Sequence, residues 1–89
     1  MVEVEFAPAL QRHAAAPVLR LEGISLRGVL EGALDRVPAL RDYVLDEQGA
    51  VRKHVAIFVN GELQHDRATL ARALSADDRI YIAQALSGG

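Results

Sequence analysis

The sequence predicts an α+β domain in which a mixed sheet of four to five strands carries one main helix on one face. Three observations point there. Residues 2–6 and 79–83 alternate apolar with polar side chains, the pattern of half-buried strands. Residues 26–37 repeat apolar residues at spacings of three and four, the pattern of an amphipathic helix. The order strand, strand, helix, strands then lets the helix serve as the crossover that a parallel pair requires. The first and last strands are therefore expected side by side in the middle of the sheet.

Each element has its own signals. Val2, Val4 and Phe6 face one way and Glu3 and Glu5 the other, until Pro8 ends the strand. Residues 9–16 read as a loop despite their alanines, and residues 18–22 as a second strand forming a hairpin with the first. Gly23 closes it. Ser25 is a good N-cap, since its hydroxyl accepts from a free first-turn amide. Leu26, Val29, Leu30, Ala33, Leu34 and Val37 share one helix face, Arg27 and Glu31 pair on the outside, and Pro38 stops the helix. Residues 39–50 read as a short turn to Tyr43-Val44-Leu45 and then the turn Asp46-Glu47-Gln48-Gly49. Residues 51–59 make the strongest strand, with Val55, Ile57 and Val59 inward and His54, Ala56 and Phe58 outward. Asn60-Gly61 signals a two-residue hairpin and residues 62–64 a short return strand. Leu70, Ala71 and Leu74 are expected to pack an irregular turn under the sheet. Ile80 and Ile82 point inward from the last strand, with Tyr81 outward.

Composition narrows the function classes. The chain has 89 residues, 51% apolar and 25% charged, which suits one globular domain. It has no cysteine, hence no disulfide, thiolate ligand or cysteine nucleophile. The net charge is −2 with both signs interspersed; neither a basic patch nor an aromatic platform suggests nucleic acid. No apolar run approaches the ~20 residues of a membrane span. Glu3 and Glu5 contradict a cationic leader, so a cytoplasmic location is expected. His13, His54 and His65 are dispersed, without metal-ligand spacing, and no pair of carboxylates is spaced for acid–base work. Lys53, the only lysine, is assigned no role.

The most informative feature is the terminal Gly88-Gly89, which follows the last strand by a few residues. Residues 1–84 are expected to form the domain and residues 85–89 a flexible tail. Counted from Gln84, six extended residues reach ~20 Å. Glycines lack Cβ and make a thin stalk that can enter a narrow slot in a partner and present a carboxylate there.

Four segments carry a resemblance to a known family. They are Ser25-Leu26-Arg27-Gly28-Val29-Leu30-Glu31 running on to Pro38-Ala39-Leu40-Arg41, the run from Val51-Arg52-Lys53-His54 through Val55-Ala56-Ile57-Phe58-Val59-Asn60-Gly61, the turn Asp77-Asp78-Arg79-Ile80, and Leu86-Ser87-Gly88-Gly89. In this order, over most of the chain, they resemble the small ubiquitin-like sulfur carriers of the MoaD/ThiS family, which includes the small subunit of molybdopterin synthase. The resemblance implies a β-grasp (ubiquitin-like) fold and a carrier with no catalytic residue of its own. A ubiquitin-activating-type adenylating enzyme would transfer AMP from ATP onto the Gly89 carboxylate, and a sulfur donor would convert it to a thiocarboxylate. An acceptor synthase subunit would then receive the sulfur. No bound cofactor or metal is implied, because the activating partner uses the ATP.

Leu86, Ser87 and Gly88 would form the tail that the partner surrounds, and Phe58, Tyr81 and Leu86 an exposed apolar patch for docking. The acceptor stays open between a molybdopterin precursor, a thiamine-thiazole precursor and an activated serine on the way to cysteine. Two other readings stand beside this one: a protein modifier joined to target lysines through Gly89, and a ubiquitin-like interaction domain with an idle diglycine.

Overall fold

Five strands form one mixed sheet in the order β2-β1-β5-β3-β4, in a computed structural model that describes residues 1–84. The strands are β1 (Val2–Phe6), β2 (Leu19–Leu21), β3 (Val55–Val59), β4 (Glu62–Leu63) and β5 (Arg79–Gln84). β1 and β5 pair in parallel at the centre, with Val4 opposite Ile80 and Phe6 opposite Ile82. β2 and β3 flank them antiparallel, and β4 returns on the outer side of β3. This is the β-grasp arrangement: the central parallel pair joins the two ends of the described chain, and helix α1 (Leu26–Arg36) lies in the connection between them.

The helix forms as its sequence requires. The Ser25 hydroxyl accepts from the Gly28 amide at 3.1 Å, and Val37 and Pro38 end the helix. Leu26, Val29, Leu30, Ala33 and Leu34 are all buried, against the inward side chains Val2, Val4, Phe6, Val55, Ile57, Val59, Ile80 and Ile82. Burying each large aliphatic side chain is worth about 1.5–3 kcal/mol. No polar or charged residue is buried among the described residues, so hydrophobic packing is the main support of the fold.

Several boundaries differ from expectation. Residues 9–16 contain a 3-10 turn, Leu10–Arg12, that buries Leu10; Gln11 locks it by donating to the Phe6 carbonyl and accepting from the Ala16 amide. The second strand is only Leu19–Leu21, with Val18 and Glu22 exposed outside the ladder. After Pro38 the chain makes a 3-10 turn, Pro38–Leu40, and then the four-residue helix α2 (Arg41–Val44), so that Leu40 and Val44 reach the core. β3 begins at Val55, four residues later than predicted. Val51 pairs instead with Leu45 in an isolated bridge, and a turn closes with Val55 N–H on the Arg52 carbonyl. The expected return strand loses Gln64, although its amide still donates to Ile57. Ala71 is exposed, while Leu70 is fully buried and Leu74 partly so.

Two arginines organise the long irregular segments. Arg27 donates from α1 to the carbonyls of Gly49 (2.7 Å) and Ala68 (2.6 Å), besides approaching Glu31 at 3.4 Å. Arg67 Nη2 donates to the carbonyls of Arg52 and Val55, the latter at 2.6 Å. Asp66 caps the following turn, accepting from the Thr69 hydroxyl and from the amides of Thr69 and Ala71. Leu70 holds a left-handed φ of 51°, which costs a non-glycine residue about 1–2 kcal/mol. Its burial and the bond from Arg27 N–H to its carbonyl offset that cost.

Candidate partner-binding surface

The outer face of the sheet follows from strand alternation and register. Glu5 is opposite Tyr81, Tyr81 opposite Phe58, and Phe58 opposite Leu63. Cross-strand partners point to the same side of a sheet, so these four side chains form one row across β1, β5, β3 and β4. Phe58 is half-buried, whereas Tyr81 is 37% and Leu63 41% exposed. The two predicted docking aromatics therefore stand side by side as direct cross-strand neighbours on the face away from α1.

The rows on either side differ in chemistry. One pairs Ala56 with Ala83, small side chains that leave the aromatics prominent; the next pair along is Val55 with Gln84, where the described chain ends. The stripe crosses the middle of β5, three residues before Gln84, and lies beside the Asn60-Gly61 hairpin. The other row is charged: Arg20 is opposite Glu3, and Glu3 opposite Arg79. The Glu3–Arg20 ion pair is loose, at 3.9 Å and open to water, and contributes little to stability. Glu3, Glu5, Asn60, Asp77, Arg79 and Tyr81 line a shallow concavity at this end of the face.

The Asn60-Gly61 turn fixes the register of the stripe. Both residues have positive φ, 51° and 80°, as a two-residue hairpin of this type needs. The Asn60 side chain donates to Asp78 Oδ1 and accepts from the Arg79 amide, both at 2.9 Å, and its backbone N–H donates to the Arg79 carbonyl. Hairpin and β5 are thereby locked together. The Ser75 amide and then the Asn60 side chain hold the Asp78 carboxyl below its ordinary pKa.

Leu63 was missed by sequence reasoning, though its signal was present. A two-residue turn at Asn60-Gly61 places Phe58 and Leu63 directly opposite each other. Of the other predicted site residues, Leu86, Ser87, Gly88 and Gly89 lie outside the described residues. His13 stacks on Tyr43 with ring centroids 3.8 Å apart, far in sequence from His54 and His65, which are exposed. Lys53 is exposed in the turn before β3. Among the described residues no three His, Cys, Asp or Glu side chains converge as metal ligands, and no helix is long and apolar enough to cross a membrane. The arrangement is an apolar stripe, partly open to water, bordered by a charged row on one side and by small side chains on the other.

No protein-family model and no curated protein sequence matches the chain. Its fold, however, closely matches solved structures. The small archaeal modifier protein 1 of Methanosarcina acetivorans superposes with a TM-score of 0.81 at 26% identity, over 99% of this chain and 95% of that one. CysO of Amycolatopsis orientalis, solved in a complex with BexX, gives 0.81 at 18% identity over the whole of both chains. CysO of Mycobacterium tuberculosis gives 0.79 at 22% identity over 97% of this chain and 100% of that one. The β-grasp, ubiquitin-like fold is established by these matches together with the sheet order.

Proposed function

We propose that this ubiquitin-like chain is a sulfur carrier that works through its glycine tail. The Gly89 carboxylate attacks the α-phosphorus of ATP on a ubiquitin-activating-type enzyme, releasing pyrophosphate and forming an acyl-adenylate. Hydrosulfide delivered by a sulfur donor then attacks the acyl carbon, AMP leaves, and loss of the sulfur's proton makes Gly89 a thiocarboxylate. The sulfur passes to an acceptor synthase subunit in the biosynthesis of molybdopterin, or of a related cofactor or amino acid, in the cytoplasm. The chain is a co-substrate, and the enzymes it visits supply the catalytic groups.

One observation carries this reading: the apolar row Tyr81, Phe58 and Leu63, exposed at Tyr81 and Leu63 and half-buried at Phe58, includes a side chain of β5, the strand that continues into Leu86-Ser87-Gly88-Gly89. A partner gripping the row is positioned to receive the tail, and holding a reactant in place contributes much of the rate. The fold shared with CysO, one example of which is solved in complex with a partner, supports the same reading. The test is Gly88→Val. The variant is expected to keep the wild-type melting curve and to lose ATP–pyrophosphate exchange with the activating enzyme. Normal exchange would remove the argument from a narrow stalk.

A second reading is favoured by the Methanosarcina acetivorans match, a modifier by name: Gly89 is joined to lysines of target proteins through an isopeptide bond. Diglycine-dependent bands of higher mass on a denaturing gel, in place of a thiocarboxylate, would select it.

A further inference from the structure

The outer row is apolar from Leu63 through Phe58 to Tyr81 and then meets a carboxylate, Glu5, on the central strand β1. Glu5 is exposed, and no ion pair engages it among the described residues. The other glutamates of the sheet differ. Glu3 pairs with Arg20 at 3.9 Å, and Glu62 with Arg72 at 2.9 Å. Arg79 stands one row away, opposite Glu3. A partner that covers the aromatics also covers Glu5 and takes its charge out of water, which is costly without a counter-charge.

We infer that the partner docked on this face brings an arginine, whose guanidinium pairs with the Glu5 carboxylate and lies over the Tyr81 ring. Arginine fits this place better than lysine. Its planar fork matches a carboxylate with two parallel hydrogen bonds, and its flat face stacks on an aromatic ring. Glu5 and Tyr81 are register partners on adjacent strands, so one guanidinium meets both. Glu5 then selects among partners: an apolar or acidic side chain opposite it leaves the carboxylate unpaired.

The inference rests on the reading that this face docks the activating enzyme, and its test separates the two. ATP–pyrophosphate exchange is measured with the ubiquitin-activating-type enzyme of the same genome, varying the concentration of wild type, Glu5→Gln, Glu5→Arg and Glu62→Gln. Glu5→Gln is expected to raise KM about tenfold with kcat within about twofold, Glu5→Arg to raise it further, and Glu62→Gln to leave it unchanged. Added salt should raise the wild-type KM more steeply than that of Glu5→Gln. An unchanged KM for Glu5→Gln beside an active wild type overturns the arginine contact and leaves sulfur transfer standing. So does an unchanged KM accompanied by self-association of the variant in sedimentation, which would make Glu5 only a guard of the apolar face. A wild type inactive in the assay overturns the activation reading and this inference with it.

Discussion

Replacing Arg67 by alanine should destabilise the domain well beyond an ordinary surface change, although Arg67 lies in no strand or helix. Its Nη2 carries two N–H groups, and the carbonyls of Arg52 and Val55 take them; the Val51 carbonyl, at 3.5 Å, is too far to count. These carbonyls bracket the turn from which β3 starts, and β3 supplies Val55, Ile57 and Val59 to the core. A hydrogen bond to a charged group contributes about 1.5–3 kcal/mol, and two sharing one nitrogen are less than additive. The site is only partly buried, so water can reach the freed carbonyls. The expected loss is therefore about 2–4 kcal/mol. For a domain of this size each kcal/mol lowers Tm by about 4–8 °C. Urea unfolding followed by circular dichroism would measure it, with Arg67→Lys, which keeps the charge but not the fork, expected to fall between alanine and wild type. A loss below about 0.5 kcal/mol for Arg67→Ala, the range of ordinary surface changes, would refute the claim that Arg67 holds the start of β3.

Three further outcomes follow from the packing and the charges. A Cβ on Gly23 would sit 2.5 Å from Val29 Cγ2 in the core, so Gly23→Ala should cost about 1–3 kcal/mol in urea unfolding, and Val29→Ala in the same chain should return part of it. Asn60→Ala loses two side-chain hydrogen bonds and puts alanine at a φ of 51°; a cost of about 1–3 kcal/mol is expected, with Asn60→Gly milder because only the bonds are lost. Asp66 is held below its ordinary pKa by the Thr69 hydroxyl and then the Ala71 and Thr69 amides, Asp78 by the Ser75 amide and Asn60, and Glu31 chiefly by its hydrogen bond with Arg41. Depressed folded-state values mean that these carboxylates favour folding at pH above their unfolded values near 4, and that the contribution is lost as pH falls through the lower folded values. The urea midpoint should accordingly drop below about pH 4, and less so in Asp66→Asn than in wild type.

Helix α1 was legible in the sequence because every determinant is local: the Ser25 cap, the apolar spacing and Pro38. β1, β5 and the Asn60-Gly61 hairpin were legible for the same reason, and the parallel pairing followed from element order. The start of β3 was not. Val51 has the same parity as Val55, Ile57 and Val59, although Lys53 interrupts the apolar series, and Arg67, sixteen residues after Val51, draws the carbonyls of Arg52 and Val55 into a turn. Nothing in the local pattern announces so distant a partner. The 3-10 turn at Pro38–Leu40 and α2 were missed because they bury single residues, Leu40 and Val44, without a full turn of periodicity. At the surface, Phe58 and Tyr81 could be placed outward by alternation, but their direct pairing needed the register between β3 and β5. Leu63 follows from the two-residue hairpin, whereas Glu5 joins the row only once the β1–β5 register is known.

The most direct test of the central claim is the intact mass of the chain after incubation with ATP, the activating enzyme and a sulfur source. A sulfur carrier gains the mass difference of one oxygen replaced by sulfur, mapped to the peptide that ends in Gly88-Gly89 and absent when Gly89 is deleted. An unchanged mass, under conditions where the enzyme activates another carrier, would contradict that claim.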